Sequence, residues 1–392
     1  MIYGAAGTGK TTLMKYISKL MPLKKKLFLT KTHTALQNLI RHIDCKGEEV
    51  DFVSINSFTK KIEPNNYDMI FIDECSTIDN YTMNKLLSKI KENTFIVMAG
   101  DVHQIESIEF SNWFYYAKKI IKDETANVEL LSTWRTDDES LISLWNEVRN
   151  QDILITEKLV IDGPFSEDIG PNIFRKETKD EIILCLNYDG KFGLNNMNNY
   201  LQAANINKHS YKWQEWLYKV DDPILFNDSK RFNYLYNNLK GRIVEIQKFD
   251  DRILFTIDIN TFLTEDDCIK DDIEFIQSVE DGTRIRLSVF APNNEYQEQD
   301  DEFRKKTIVP FQLAYAVSIH KAQGLEYDSV KIIIPSSNSE KITHGIFYTA
   351  ITRAKKKLKI FWSSETMKDI VKSFDFENKD TKSLDIVKDK LL

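Results

Sequence analysis

Residues 1–12 read Met1-Ile2-Tyr3-Gly4-Ala5-Ala6-Gly7-Thr8-Gly9-Lys10-Thr11-Thr12. Gly4, Gly9, Lys10 and Thr11 complete the G-x-x-x-x-G-K-[ST] pattern of a phosphate-binding loop, with an extra glycine at Gly7. Such a loop wraps successive backbone N–H groups around phosphates, and its glycines let the main chain approach closely. Gly4, Ala5, Ala6, Gly7, Thr8, Gly9, Lys10, Thr11 and Thr12 therefore form the nucleotide-binding stretch. Within it Lys10 reaches the β- and γ-phosphates, the Thr11 hydroxyl holds Mg²⁺, and the following helix aims its N-terminus at the charge. A chance Gly-rich turn is the alternative. All four pattern positions are filled, however, and Leu13, Met14 and Ile17 begin an apolar helix face behind them. The stretch reads as a nucleoside triphosphate site.

A phosphate loop follows a buried parallel strand, and strands run about five or six residues. Only Met1, Ile2 and Tyr3 precede Gly4. The expectation is a clipped strand, a natural chain that starts further upstream, or an edge completed by something else.

Working outward, apolar runs at 27–30, 51–54, 68–73 and 94–99 alternate with helical stretches from Ala35 and over 82–91. Continuous apolar strands separated by helices predict a parallel sheet covered on both faces, in a first α/β domain over 1–150. Residues 151–180, with Gly163-Pro164 and Gly170-Pro171, read as a linker. A second parallel sheet opens at Glu181. Short alternating segments and acidic clusters at 265–267, 271–272 and 299–302 mark 205–307 as a small antiparallel β insertion with solvated acidic loops. The α/β texture returns over 308–365, with a helix at 311–321, a strand at 329–334, a helix at 345–353 and a strand at 358–362. A charged helical tail follows over 366–392.

The chain has 392 residues, 42% hydrophobic and 29% charged, as in an ordinary soluble protein of two or more domains. Its formal net charge of −7 argues only weakly against a nucleic-acid partner, because a local basic groove can coexist with acidic surface. Cys45, Cys75, Cys185 and Cys268 form no C-x-x-C and have no histidine at ligand spacing, which predicts reduced, buried thiols and no cysteine metal site. Neither a signal peptide nor a long apolar run is present, and a cytoplasmic location with no membrane contact is expected.

Asp73 and Glu74 end the apolar run Ile70-Phe71-Ile72. In a phosphate-loop fold Asp73 would hold Mg²⁺ and Glu74 would orient or deprotonate the attacking water, so the pair favours hydrolysis over simple binding. Gln104, in Gly100-Asp101-Val102-His103-Gln104, can contact that water or a γ-phosphate oxygen; an ordinary Gly-Asp turn is the alternative. Arg135 and Arg353 are arginines in apolar settings, suited to stabilising charge in phosphoryl transfer, with a core salt bridge as the alternative for each.

Taken in order, Gly7-x-Gly9-Lys10-Thr11, 32–35, 73–76, Gly100-Asp101-x-x-Gln104, Trp134-Arg135, 316–326 and 348–354 resemble the superfamily 1 DNA helicases, most closely the RecD/Dda-like branch. The likeness runs from Gly4 to about Trp362, interrupted by the insertion. It implies an α/β fold of two RecA-like parallel-sheet P-loop domains, 1–150 and 181–204 with 308–365, and a small β-rich (SH3-like) insertion in the second. ATP and Mg²⁺ would lie in the cleft between the domains. Arg353 would reach the γ-phosphate from the second domain and Arg135 from the hinge side. Gly324 and Glu326 would contact the γ-phosphate and ribose.

For the track, the resemblance points to Thr32, His33, Ser54, Ser57, Asn187, Ser318, His320 and Lys321 as contacts to single-stranded DNA, with RNA not excluded. Thr32 and Ser57 could instead be helix caps, and His33 a structural histidine. The family's threonine-asparagine pair stands here as Leu186-Asn187, ahead of a groove-lining helix near 195–199. The implied activity is an ATP-dependent single-stranded DNA translocase or helicase moving 5′→3′. The alternative is a helicase-like ATPase subunit that acts as a nucleotide switch in a larger assembly with a protein partner.

Three departures stand out. The family's adenine-reading glutamine lies upstream of the phosphate loop, and nothing precedes Met1 here. Residues 59–67 are too short for the duplex-splitting hairpin of related helicases. The insertion is acidic, with Lys230, Arg231, Lys240 and Arg242 as the exceptions that could form a contacting edge.

Overall fold

A computed structural model describes residues 1–22, 24–43, 49–60, 66–104, 113–121, 123, 125–152, 154–178, 180–188, 190–205, 208–227, 231–292, 301–336 and 342–374. Cys45, Lys230, the acidic residues 299–300, the tail beyond 374 and most of the segment judged too short for a hairpin lie outside them. The chain forms two compact units, one of residues 1–181 and 322–392, the other of 182–321.

In the first unit, six parallel strands stand in the order Val50–Ser54, Lys26–Thr30, Met69–Ile72, Phe95–Gly100, Ile2–Gly4, Val128–Leu130. The three-residue strand before the phosphate loop is thus an inner strand, paired on both sides. Successive residues of the apolar runs serve opposite faces. Ile2, Phe28, Phe71, Val97 and Ala99 meet Met14 and Leu39 of the helices Lys10–Lys19 and His33–His42. Tyr3, Leu27, Leu29, Ile70 and Ile72 meet Phe58, Met83, Leu86 and Phe114 on the other side. Phe28 and Phe71 stack at 4.4 Å between ring centroids. This two-sided burial is why the strands read as unbroken apolar runs.

The same unit carries Tyr327–Ile333, Ala354–Phe361 and Ser166–Glu167 as parallel neighbours. The expected linker therefore differs: it contains the helix Ile155–Lys158, this strand and the 3₁₀ turn Pro171–Phe174. Lys331, 1% exposed, binds the segment down by donating to the carbonyls of Ile173 (3.2 Å) and Arg175 and pairing with Glu181 at 3.1 Å.

In the second unit, an antiparallel sheet runs in the order Glu274–Val279, Gly282–Phe290, Arg252–Ile259, Lys240–Lys248, Pro223–Phe226, Phe311–Leu313 around a core of its own. The hairpin Ser210–Trp213 and Trp216–Lys219 stands beside it, and Ala316–Ser318 pairs in parallel with Ile183–Cys185. The helix expected over 311–321 is a pair of strands. Pro310 breaks the entry, Phe311 and Leu313 alternate into the core, and pairing with Ile224–Phe226 overrides the local helical pattern.

Candidate nucleotide site

The phosphate loop bends between Gly4 and the helix Lys10–Lys19, with Gly7 at φ 75° and Gly9 at φ 87°. Gly7 also has no room for a side chain, since a Cβ there would lie 2.5 Å from Arg135 Cβ and 2.9 Å from Thr133 Oγ1. Two bonds from the segment after Val128–Leu130 hold the loop open: Trp134 N donates to Gly7 O (2.7 Å) and Thr133 Oγ1 to Ala6 O (3.1 Å). Thr8 Oγ1 donates to Ala5 O at 2.9 Å. The amides of Gly7, Thr8 and Gly9 donate to no main-chain acceptor among the described residues, as an anion cradle requires. Lys10 Nζ rests on the carbonyls of Gly4 (2.9 Å) and Ala5 (2.8 Å).

Asp73 and Glu74 follow the strand Met69–Ile72, and Gln104 follows Phe95–Gly100, all at strand carboxyl ends beside the loop. Thr11 Oγ1 donates to Asp73 Oδ2 at 3.1 Å, and the Glu74 amide donates to Asp73 Oδ1 at 2.9 Å. Burial and the neighbouring Glu74 push the Asp73 carboxyl up to about 6, against the pull of Lys10. Gln104 is buried and makes a long contact to Asp101, 3.4 Å.

The later motifs converge on the same cleft. Arg135 Nη2 meets Glu326 Oε1 at 2.5 Å and Nη1 donates to Thr352 O at 2.7 Å, while its buried Nε has no hydrogen-bond partner among the described residues. Glu326 also pairs with Lys355 at 3.3 Å. The salt bridge foreseen for Arg135 exists, and Arg135 faces the cleft as well. Arg353, 2% exposed, is held by the carbonyls of Thr349 (2.9 Å) and Leu325 (3.3 Å) and by Thr352 Oγ1 (3.2 Å). Burial and Arg135 lower its pKa to about 10, opposed by Glu74 and Glu326. Gly324 takes φ 77° and lines the cleft.

The resulting cleft is about 340 Å³, and 6–12, Asp73, Glu74, Gln104, Arg135, Gly324, Glu326 and Arg353 line it, within the usual range for a small-molecule site. Gly4 and Ala5 meet it through their carbonyls, which accept from Lys10 and, at Ala5, from Thr8 as well. Sequence reasoning missed part of the wall. Ala35, Asn38, Leu39 and His42 present one face of the helix His33–His42, a spacing of three and four that was legible as periodicity. Trp134 lines the cleft while 82% exposed, a large indole held out in water next to the loop.

The track candidates fall into two sets, one in each unit. Thr32 caps the helix His33–His42 by accepting from Ala35 N (3.2 Å), and both Thr32 and His33 are exposed. Ser54, not Ser57, is the capping serine. It accepts from Ser57 N (3.3 Å) and donates to Ser57 Oγ (2.9 Å), leaving Ser57 exposed. These four lie at or just beyond the carboxyl ends of the adjacent strands that pair Thr30 with Ser54. In the other unit Asn187 lies just beyond, and Ser318 at, the carboxyl ends of the strands that pair Cys185 with Ser318. Asn187 O accepts from Leu194 N (2.9 Å) and Ser318 Oγ from Lys321 N (3.3 Å). Lys321 Nζ donates to Gln312 at 2.6 Å, burial lowers its pKa, and His320 is exposed. No helix among the described residues is long and apolar enough to cross a membrane.

A parallel sheet with a phosphate loop, a strand-end Asp-Glu pair and two arginines on one cleft defines a P-loop nucleoside-triphosphate hydrolase of RecA-like architecture. Residues 1–161 match the AAA domain family, and 313–360 match the UvrD-like helicase C-terminal domain. The RecBCD enzyme subunit RecD of Buchnera aphidicola subsp. Acyrthosiphon pisum is 24% identical over 92% of this chain and 69% of its own length. The Haemophilus influenzae RecD subunit is 21% identical over 95% and 68%. Among solved structures, the fold is similar to Pif1 helicase from Candida albicans (TM-score 0.52, 15% identity, 93% of this chain and 92% of that one). It is also similar to Bacteroides Pif1 in complex with ADP-AlF3 and ssDNA (TM-score 0.51, 15% identity, 96% and 93%). These likenesses support a superfamily 1 helicase of the RecD/Pif1-like kind, and they indicate an ATP-hydrolysing enzyme.

Proposed function

We propose that this protein is an ATP-driven translocase or helicase on single-stranded DNA, with 5′→3′ polarity. The observation that carries the reading is the convergence of the phosphate loop, Asp73, Glu74, Gln104, Arg135 and Arg353 on one cleft. Unpartnered loop amides and the orphaned Arg135 Nε suit a triphosphate, and the Thr11–Asp73 pair suits its cation. When bound, Mg²⁺ would be held by Thr11 and Asp73 and would neutralise phosphate charge. Glu74 takes the proton of the attacking water, Lys10 leaves its carbonyls for the phosphate oxygens, and Gln104 orients the water. Arg135 exchanges Glu326 for developing charge on the γ-phosphoryl group, and Arg353 adds a second guanidinium. Trp134 offers a stacking face for the base, and a π-face tolerates every base.

In this reading the RecA-like domains span 1–150 and 181–204 with 308–365, and the antiparallel insertion is SH3-like. Thr32, His33, Ser57, Asn187, His320 and Lys321 contact the strand, while Ser54 and Ser318 shape its walls. The relatives named as RecBCD enzyme subunits support a second reading, a nucleotide switch inside an assembly.

Phosphate release measured with and without an oligonucleotide separates the two. Translocation predicts stimulation by single strands, its loss in Arg353→Ala, and displacement of a duplex carrying a 5′ tail in preference to a 3′ tail. Unstimulated turnover that Arg353→Ala leaves unchanged would sink the translocase reading and leave the switch.

A further inference from the structure

Asp101 follows the strand Phe95–Gly100, is 1% exposed and has no ion pair among the described residues. His103, His344 and Tyr348 feel its charge, and none of them supplies a cation. Burial holds His103 down to about 4, lowers His344 as well, and keeps the Tyr348 phenol protonated. A buried carboxylate without a cation is costly unless hydrogen-bond donors satisfy it, so the donors it holds reveal its use.

Two of those donors come from its own turn. Oδ1 accepts from the His103 main-chain amide at 3.1 Å, and Oδ2 makes the 3.4 Å contact to Gln104 Nε2. One oxygen therefore folds the turn, and the other faces a side chain that lines the nucleotide cleft. A carboxylate only accepts, so the NH₂ end of the Gln104 amide must face it. The carbonyl end, Oε1, is left for the cleft.

That choice of end matters to the chemistry. The loop amides, Lys10, Arg135 and Arg353 already crowd the cleft with donors. An attacking water must turn a lone pair to the γ-phosphorus and give its two O–H bonds to acceptors. Glu74 is one acceptor and Gln104 Oε1 the other. Turned over, the amide would donate to a lone pair of the water and leave its second O–H unheld.

We propose that Asp101 is a positioning residue for hydrolysis, selecting through Oδ2 the orientation in which Gln104 accepts from the attacking water. As the water oxygen bonds to the γ-phosphorus, the bond to the β–γ bridging oxygen breaks and ADP leaves. One water proton passes to Glu74, and the other O–H stays on Gln104 Oε1. This role rests on the hydrolytic reading of Glu74 and Gln104 given above.

Phosphate release by the full chain, with thermal melts beside it, tests the role. Asp101→Asn keeps an oxygen for the His103 amide but offers Gln104 a donor, so the Gln104 amide turns over. Turnover should fall about tenfold or more, with KM for ATP within about twofold of the parent. Gln104→Glu alone sets two carboxylates against each other and should also lose turnover. Combining the two substitutions reverses the contact, the new amide donating and the new carboxylate accepting, and should recover about tenfold over either single variant. A side chain that only folds the turn gives no such recovery. Should Asp101→Asn melt early, the double variant against Gln104→Glu reads the same coupling. Additive losses in the double variant, or parent turnover in Asp101→Asn while Gln104→Ala is slow, would overturn the role of Asp101 alone. Parent turnover in Gln104→Ala would overturn it together with the hydrolytic reading of Gln104.

Discussion

Glu74 sits at φ 55°, a left-handed conformation that costs a non-glycine residue about 1 kcal/mol or more and persists only where surrounding contacts impose it. Its amide bond to Asp73 is such a contact. Glu74→Gln should retain ATP binding and lose hydrolysis by about 10²-fold or more, read as single-turnover phosphate release beside a nucleotide-binding assay. Lys10→Ala should lose both. At the same scale, His103 contributes to the acid limb of stability. Burial pushes His103 down to about 4. The unfolded imidazole takes up its proton below about 6.5, so between the two values the unfolded state holds more protons and stability rises with pH. This stabilisation is complete above about 6.5 and is lost as the pH falls towards 4. His344, also lowered by burial, adds in the same direction. Denaturation midpoints at pH 5 and 7 should differ less in His103→Gln than in the parent; an unchanged difference would remove His103 from the account.

The strand Ser166–Glu167 was not readable as a strand. Two residues between Gly-Pro turns carry no periodicity, and their partner, Ile360–Phe361, lies far along the chain. The element is held by tertiary bonds, above all those of Lys331, whose side chain is 2% exposed and faces Glu181 at 9%. Lys331→Met leaves Glu181 buried without its cation and should lower stability by about 3–5 kcal/mol, seen as a fall in the urea midpoint at constant slope. Adding Glu181→Leu should recover much of the loss; failure to do so would mean that Lys331 acts mainly through the carbonyls it binds. The strand Phe311–Leu313 illustrates the opposite error. Its pattern suits a helix or a strand, and only the exposed edge of Pro223–Phe226 decides between them.

Over the whole molecule, nucleotide binding should appear as stability by mass action. A non-hydrolysable ATP analogue with Mg²⁺ at about 100 times its Kd should add about 2.7 kcal/mol, and chelation of the cation should remove most of that gain. Asp73→Asn should show a smaller gain that chelation hardly changes, as measured by thermal melts. Sequence alone determined the phosphate loop, the Asp73–Glu74 pair and the apolar strands of the parallel sheet. Each of these is chemistry written into contiguous residues: backbone amides that wrap an anion, carboxylates at a strand end, apolar runs buried on both faces. The family's order of motifs, Arg135 and Arg353 included, was legible for the same reason. Only the tertiary structure decided that Arg135 meets Glu326 across 191 positions, that Trp134 stands in water beside the loop, and that Lys331 closes on Glu181. Those contacts depend on which strand ends and turns come together, and burial and pairing between distant segments settle that, with no local pattern to announce it.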